Sequence, residues 1–226
     1  MLATIYLIST EGHTATSGDQ LVRVDLAHEA IRLARVLADL MPDEPEAIGL
    51  LALLLLTESR RLARTDADGA LVRLADQDRS LWERTLIDEG HDLVRRCLRR
   101  NQPGPFQIQA AIAAVHADAA TAAATDWSQV VALYDQLLVL RPHAVVRLNR
   151  AVAVAELDGP DAGLRELGGM ADELDGYQPF HATHADLLAR SGRTLEAERA
   201  YDRAIDLSTN PVERQFLEHR RAALRI

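Results

Sequence analysis

Few residues in this sequence have the types and spacing that chemistry requires. His181 and His184 stand three apart and share one face of a helix. Such a pair can bind a metal, but no third or fourth ligand follows at a suitable interval, so ordinary polar helix residues are expected. Asp66-Ala67-Asp68-Gly69 has the acid-rich turn of a calcium loop. With Gly69 as the turn glycine, the first and last ligand positions fall on Arg64 and Ala75, which cannot serve. Cys97 lies among arginines, an environment that can lower a thiol pKa, yet its place in a helix interior reads as a packed structural thiol. Nucleophile elbows, Walker loops, dinucleotide fingerprints and zinc-protease helices are absent from the sequence. An enzyme would need Glu11, Asp76 or Asp78 to meet His116 in one pocket, and spacing alone does not bring them together. The expectation is a protein that is not an enzyme, with no metal and no cofactor.

The denser constellation is polar. Arg60, Arg61, Arg64, Asp66 and Asp68 precede Asp76, Gln77, Asp78 and Arg79, so acids and arginines alternate around a turn between two helices. Arginine forks pair with carboxylates in two parallel bonds, and such a network can shape a binding surface. The bland reading is a solvated turn with a helix cap, and spacing does not separate the two. His116, Asn149 and Arg150 join the same set, on helices that would line the concave face of a repeat stack. These twelve residues are the candidates for protein interaction.

The elements that must carry them read as helices throughout. Of 226 residues, 48% are hydrophobic and only 4% aromatic, so Leu, Ala, Val and Ile build the core, which argues against a sandwich or barrel. Apolar spacing and breakers predict helices over 2–8, 17–41, 45–63, 80–100, 105–120, 127–140, 143–157, 160–173, 177–190, 194–207 and 211–225. The second opens on a capping box at Ser17-Gly18-Asp19-Gln20 and shows an apolar face of Leu26, Ala30, Leu33 and Leu37. The third, apolar on all sides from Leu50 to Leu56, belongs at the centre of the first half. A second capping box, Ser80 with Glu83, opens the helix to 100. Between them, 64–77 reads as a short irregular or extended segment. Gln102-Pro103-Gly104-Pro105 is the best internal boundary, giving an N-terminal helical subdomain over 1–101 and repeats over 102–226, joined by so short a linker that one continuous body is expected.

After that boundary the pattern repeats. Val130, Gly163 and Ala197 are small or apolar and lie 33 and 34 residues apart; Tyr134, Leu167 and Tyr201 follow four residues on, and Leu137, Met170 and Ala204 seven on. A small residue admits a close helix, and a large one fills the groove between pairs. This period resembles the tetratricopeptide repeat. It is interrupted at Gly168-Gly169, which weaken a helix interior. The fold class is all-α: a helical-hairpin superhelix with tetratricopeptide-like repeats over about 105–208, capped by the last helix.

Longer strings carry a family resemblance. Tyr6-Leu7-Ile8 with Glu11-Gly12, Glu29-Ala30-Ile31-Arg32-Leu33, Gly49-Leu50-Leu51-Ala52-Leu53, and Asp76-Gln77-Asp78-Arg79-Ser80 with Trp82 are among them. So are Gln109 to Ala117, Thr125-Asp126-Trp127 and Leu148-Asn149-Arg150-Ala151-Val152-Ala153. Together they resemble the C-terminal extension of extracytoplasmic-function sigma factors, which carries tetratricopeptide-like repeats. The resemblance implies a part in transcription initiation, through contact with the sigma domains of the same polypeptide or with core RNA polymerase. It assigns no catalytic residue. The two sigma domains themselves, one with a helix-turn-helix, are not in this sequence. Ile8-Ser9-Thr10 and His13 also depart from the residues usual around Glu11-Gly12.

Charge and composition bound the alternatives. A net charge of −9 repels phosphate backbones, so no direct DNA contact is expected. All 25 cations are arginine, which suits polar protein interfaces. A single cysteine allows no internal disulfide, no apolar run is long enough for a bilayer, and the apolar start, Met1 to Ser9, lacks the basic residues of a signal peptide, so a cytoplasmic protein is expected. The alternative function is a helical-repeat sensor that binds a small anionic ligand or peptide in its groove.

Overall fold

A computed structural model of the chain describes residues 1–13 and 23–225. They fall into two compact units, Met1–Asp126 and Trp127–Ile226. The first holds α1 (Leu2–His13), α2 (Val24–Leu40), α3 (Pro45–Glu58), α4 (Arg84–Arg100) and α5 (Pro105–Asp118). The second holds α6 (Trp127–Leu140), α7 (Ala144–Asp158), α8 (Pro160–Gly168), α9 (Gln178–Arg190), α10 (Thr194–Leu207) and α11 (Pro211–Ala222). The chain is all-α, as its patterning predicts. The capping box at Ser17-Gly18-Asp19-Gln20 lies outside the described residues.

The first unit is arranged by α3. From Ala47 to Leu56 every residue of this helix is buried, so it has no side to offer water. Helices α1, α2, α4 and α5 all pack against it. Leu50, Leu54, Leu55 and Leu56 are each 1% exposed or less, and full burial of one such side chain contributes about 1.5–3 kcal/mol. The face that α2 buries is not the one its large residues suggest. Ala27, Ala30, Ala34 and Leu37 are buried, whereas Leu26 and Leu33 are half-buried, because three small residues let α2 approach closely. Gly49 does the same for α5: a Cβ there would stand 2.8 Å from the backbone nitrogen of Gln107.

Two expected features are placed differently. The capping box at Ser80 and Glu83 does not form. Ser80 lies in a 3-10 turn, Arg79–Leu81, capped by the Asp78 carboxylate, which accepts from the Ser80 amide at 2.9 Å. Helix α4 starts only at Arg84, and the Glu83 amide is committed to the Ser59 carbonyl at 2.8 Å. The break at Gln102–Pro105 is also not the division between units, which falls between Asp126 and Trp127. Asn101, in left-handed backbone (φ 49°), turns α4 into α5. The Glu46 carboxylate on α3 then accepts from the amides of Phe106 and Gln107 at 3.0 and 3.2 Å. A carboxylate on the first turn of a helix satisfies its free donors and complements its positive end. That tie holds α5 in the first unit.

Residues 64–77 form a small hairpin rather than a strand of any sheet. Thr65 and Leu71 make one antiparallel bridge across a turn, in which the Asp66 carboxylate accepts from the amides of Asp68 and Ala70 at 3.0 and 2.8 Å. Gly69 takes φ 81° there, and a 3-10 turn, Leu74–Asp76, follows.

In the second unit the repeat positions are core positions. Val130 and Ala197 are fully buried, as are Leu167 and Tyr201, with Leu137, Met170 and Ala204 also inside. Tyr134 is half-buried. At Gly163 a Cβ would meet the Ala155 Cβ at 2.6 Å and the Ala151 carbonyl at 2.9 Å, so the small position serves helix approach as its period implies. Helix α8 is shorter than its pattern: it ends at Gly168, with Gly169 as C-cap. Side-chain caps start α7 and α11: His143 accepts from Val145, and Asn210 from Val212 and Glu213.

Two substitutions test this packing. Glu46→Ala is expected to lower unfolding stability by about 1–3 kcal/mol, read from urea denaturation, because it leaves two helix-terminal amides without their acceptor. Gly163→Ala gains about 1 kcal/mol in helix propensity but costs about 1–3 kcal/mol in overpacking. Net destabilisation is expected, measured the same way; a stabilised variant would refute the close approach.

Candidate functional site

The arginine-rich candidates converge on one place in the first unit. Trp82, 7% exposed, forms its floor. The Arg79 guanidinium lies 4.4 Å from the centre of the Trp82 ring and that of Arg60 lies 5.8 Å from it, within the range of cation–π attraction. Arg79 also donates to the carbonyls of His116 and Ala119 at 2.6 and 2.9 Å. These carbonyls end α5, so a cation sits at that helix's negative end while Glu46 sits at its positive end. The string Asp76 to Trp82 therefore builds an anchor: Asp78 caps the turn, Arg79 reaches α5, and Trp82 is buried beneath.

Electrostatics sharpen the picture. Burial, and then the Arg64 and Arg79 cations, lower the pKa of Arg60 to about 10. Burial also lowers that of Arg64, against the pull of Glu58. His116 is held down to about 4, first by burial and then by Arg60 and Arg79, and so is neutral near pH 7. The acids of the segment are occupied elsewhere. Glu58, buried, pairs with Arg61 at 2.7 Å and with His28 at 3.4 Å. Asp66 closes its turn, Asp76 pairs with Arg73 at 2.7 Å, and Asp78, its pKa lowered by Ser80, caps. Gln77 donates to the Val72 carbonyl at 3.2 Å. Asp68 is exposed.

Asn149 and Arg150 belong to the second unit. Asn149 is exposed. Arg150 bridges α6 and α8, pairing with Asp135 at 2.6 Å and with Glu166. These two carboxylates, Glu166 first, raise its pKa. Its role visible in the structure is to clamp three helices. Arg190 with Glu156 and Arg220 with Asp186 continue the pattern along the unit.

The remaining chemical candidates resolve structurally. Cys97 is buried, its thiol 3.6 Å from the Pro45 carbonyl, and burial with the nearby Glu46 pushes its pKa up to about 11, which disfavours the reactive thiolate. His181 lies 2.7 Å from the Asp175 carbonyl and edge-on to Phe180, with His184 near the same ring. Among the described residues, no three His, Cys, Asp or Glu side chains gather as a metal site. Nothing in the sequence marks Glu46, and Trp82 stands out there only as the end of its string. Glu46 stands in a proline-flanked turn that reads as a mere helix start, and its partner amides are 60 residues away.

The site and the repeats together define a tetratricopeptide-like helical-repeat protein. A thermophilic TPR protein of Thermus thermophilus, known from its crystal structure, superimposes with a TM-score of 0.64, covering 99% of this chain and 98% of that one. At 16% identity this likeness concerns the fold alone. Residues 1–98 match the model of DUF6596, a family of unknown function. An uncharacterized protein of Rhizobium meliloti (strain 1021) is 48% identical over 213 residues, 94% of this chain and 50% of that protein. The chain thus spans about half the length of the curated relative it matches. No helix among the described residues is long and apolar enough to cross a membrane.

The depressed His116 sets a pH dependence. In the unfolded chain it takes a proton below about pH 6.5, whereas the folded chain takes it only near 4. Stability is therefore full above pH 6.5 and falls as the pH drops toward 4, by about 2–3 kcal/mol at the low end. Urea unfolding at pH 7 and pH 4.5 measures this, and His116→Gln is expected to flatten the difference.

Proposed function

We propose that this chain is the regulatory C-terminal extension of an extracytoplasmic-function sigma factor, acting in the cytoplasm on transcription initiation through protein contacts. Its partners in this reading are the sigma domains of the same polypeptide or core RNA polymerase. One observation carries most of the weight. The string from Asp76 to Trp82, which anchors the resemblance to such extensions, is built into an ordered junction that ties the inter-helix segment to the end of α5.

Three further facts support the reading. Helical-hairpin repeats present long surfaces that suit protein recognition. The relative at 48% identity is about twice the length of the matched segment, which leaves room for sigma domains. The net charge of −9 favours protein partners over nucleic acid. In this reading the chain performs no turnover. Asp68, Asp76 and Asp78 supply exposed charge, and Asn149 an exposed amide, as points of contact.

Calorimetry of the purified chain against a separately purified pair of sigma domains, and against core polymerase, tests this. Binding to one of them is expected, weakening as salt rises from low to physiological concentration. Absence of binding to both overturns the reading.

A further inference from the structure

Arginine side chains taken out of water need an anion nearby, because burying a charge without a partner is costly. Arg150, Arg190 and Arg220 each have one. Arg60 has none and Arg64 feels only the Glu58 carboxylate; among the described residues, neither guanidinium has a hydrogen bond or ion pair. Arg79 spends one nitrogen on two carbonyls and pairs with no carboxylate among the described residues. The three lie close enough that Arg64 and Arg79 both weigh on Arg60. The indole N–H of Trp82, enclosed on the floor of this cluster, has no acceptor among the described residues.

We propose that Arg60 and Arg79, set over the Trp82 ring beside His116, form with the neighbouring Arg64 a binding site for a phosphate-type oxyanion. The charge balance selects the class. Glu58 supplies one negative charge nearby, already drawn on by Arg61. Neutral His116 adds none. With Glu58 set against Arg61, the surplus is about three positive charges, and the roughly two negative charges of a phosphoryl group near pH 7 offset most of it. A lone carboxylate carries one and is saturated by a single arginine fork. A phosphate offers enough oxygens for the arginine forks. The site does not rest on the sigma-factor reading, and either can fail without the other.

Inorganic phosphate is the probe. With Trp127→Phe, Trp82 is the remaining indole of the two in the chain, and its emission reports on the site. Phosphate, against sodium chloride of equal ionic strength, is expected to change that emission saturably. It is also expected to raise the melting temperature by roughly 5 °C near saturation. Arg60→Met and Arg64→Gln should each abolish both responses. Arg60→Met should also melt at or above the parent in chloride, since a cation lacking a counter-ion has been removed; a purely structural Arg60 would give a lower melting point. A sugar phosphate and a phosphoserine peptide, tested as competitors, identify the source as a free metabolite or a modified chain, and displacement by either sustains the site. A response no greater than that of chloride overturns it, and so does a phosphate response that survives Arg64→Gln. A response to a glutamate-rich peptide but not to phosphate also overturns it, making the cluster a dock for an acidic partner.

Discussion

A helix with no polar side fixes the first unit. Helix α3 is apolar around its whole circumference, so it is stable only when covered on every flank, and four helices are recruited to cover it. Coverage at that density depends on small residues at the crossings. Ala27, Ala30 and Ala34 bring α2 in, Gly49 brings α5 to within backbone contact, and Gly90 admits Leu56. Most side chains from Ala47 to Leu56 are aliphatic, so packing there is set by shape rather than by hydrogen bonds.

Charge then fixes what shape leaves free, which is the position of α5 along α3. Glu46 holds its first turn and Arg79 its last carbonyls, each of the sign that the helix end attracts. The first contact comes from α3 itself, the second from within the long excursion between α3 and α4. The excursion is thereby tied at Ser59, through the amide of Glu83, and again at α5, through Arg79. The cation cluster exists because this segment must fold back against a helix end. Arg60 and Arg64 are drawn in with Arg79, and their desolvation follows from the closure rather than from any pairing of their own.

What could be read from the sequence was what depends on period. Helices from α6 to α11 were legible to within a few residues, because each has its own apolar stripe and a Pro or Gly at its ends. The exception, the early end of α8, was announced by Gly168-Gly169. What escaped was what depends on long-range partners. The Ser80–Glu83 spacing looked like a cap, but the Glu83 amide had a competitor 24 residues upstream in Ser59. The prolines around Gly104 looked like a boundary, yet they begin a helix whose acceptor sits on α3. Among the candidate site residues, Arg60, Arg64, Arg79 and His116 do come together, but Arg150 is a structural clamp and Asp66 a turn former. Residue type predicted polarity at each of these positions; only the fold decides which polar group meets which.

The second unit has two cores, and α9 belongs to both. Phe180 and Leu187 pack with α7 and α8, while Ala185 and Leu188 pack with α10 and α11; Leu164 touches both clusters. Such an array has nearest-neighbour cooperativity, in which each hairpin is stabilised by the one before it. The terminal pair can therefore fray while α6 to α8 stay folded, and amide exchange should slow stepwise from α11 inward. Anything that grips the end of this array raises the protection of its interior without touching it, so occupancy at one end is felt along the chain as a change in breathing rather than in shape.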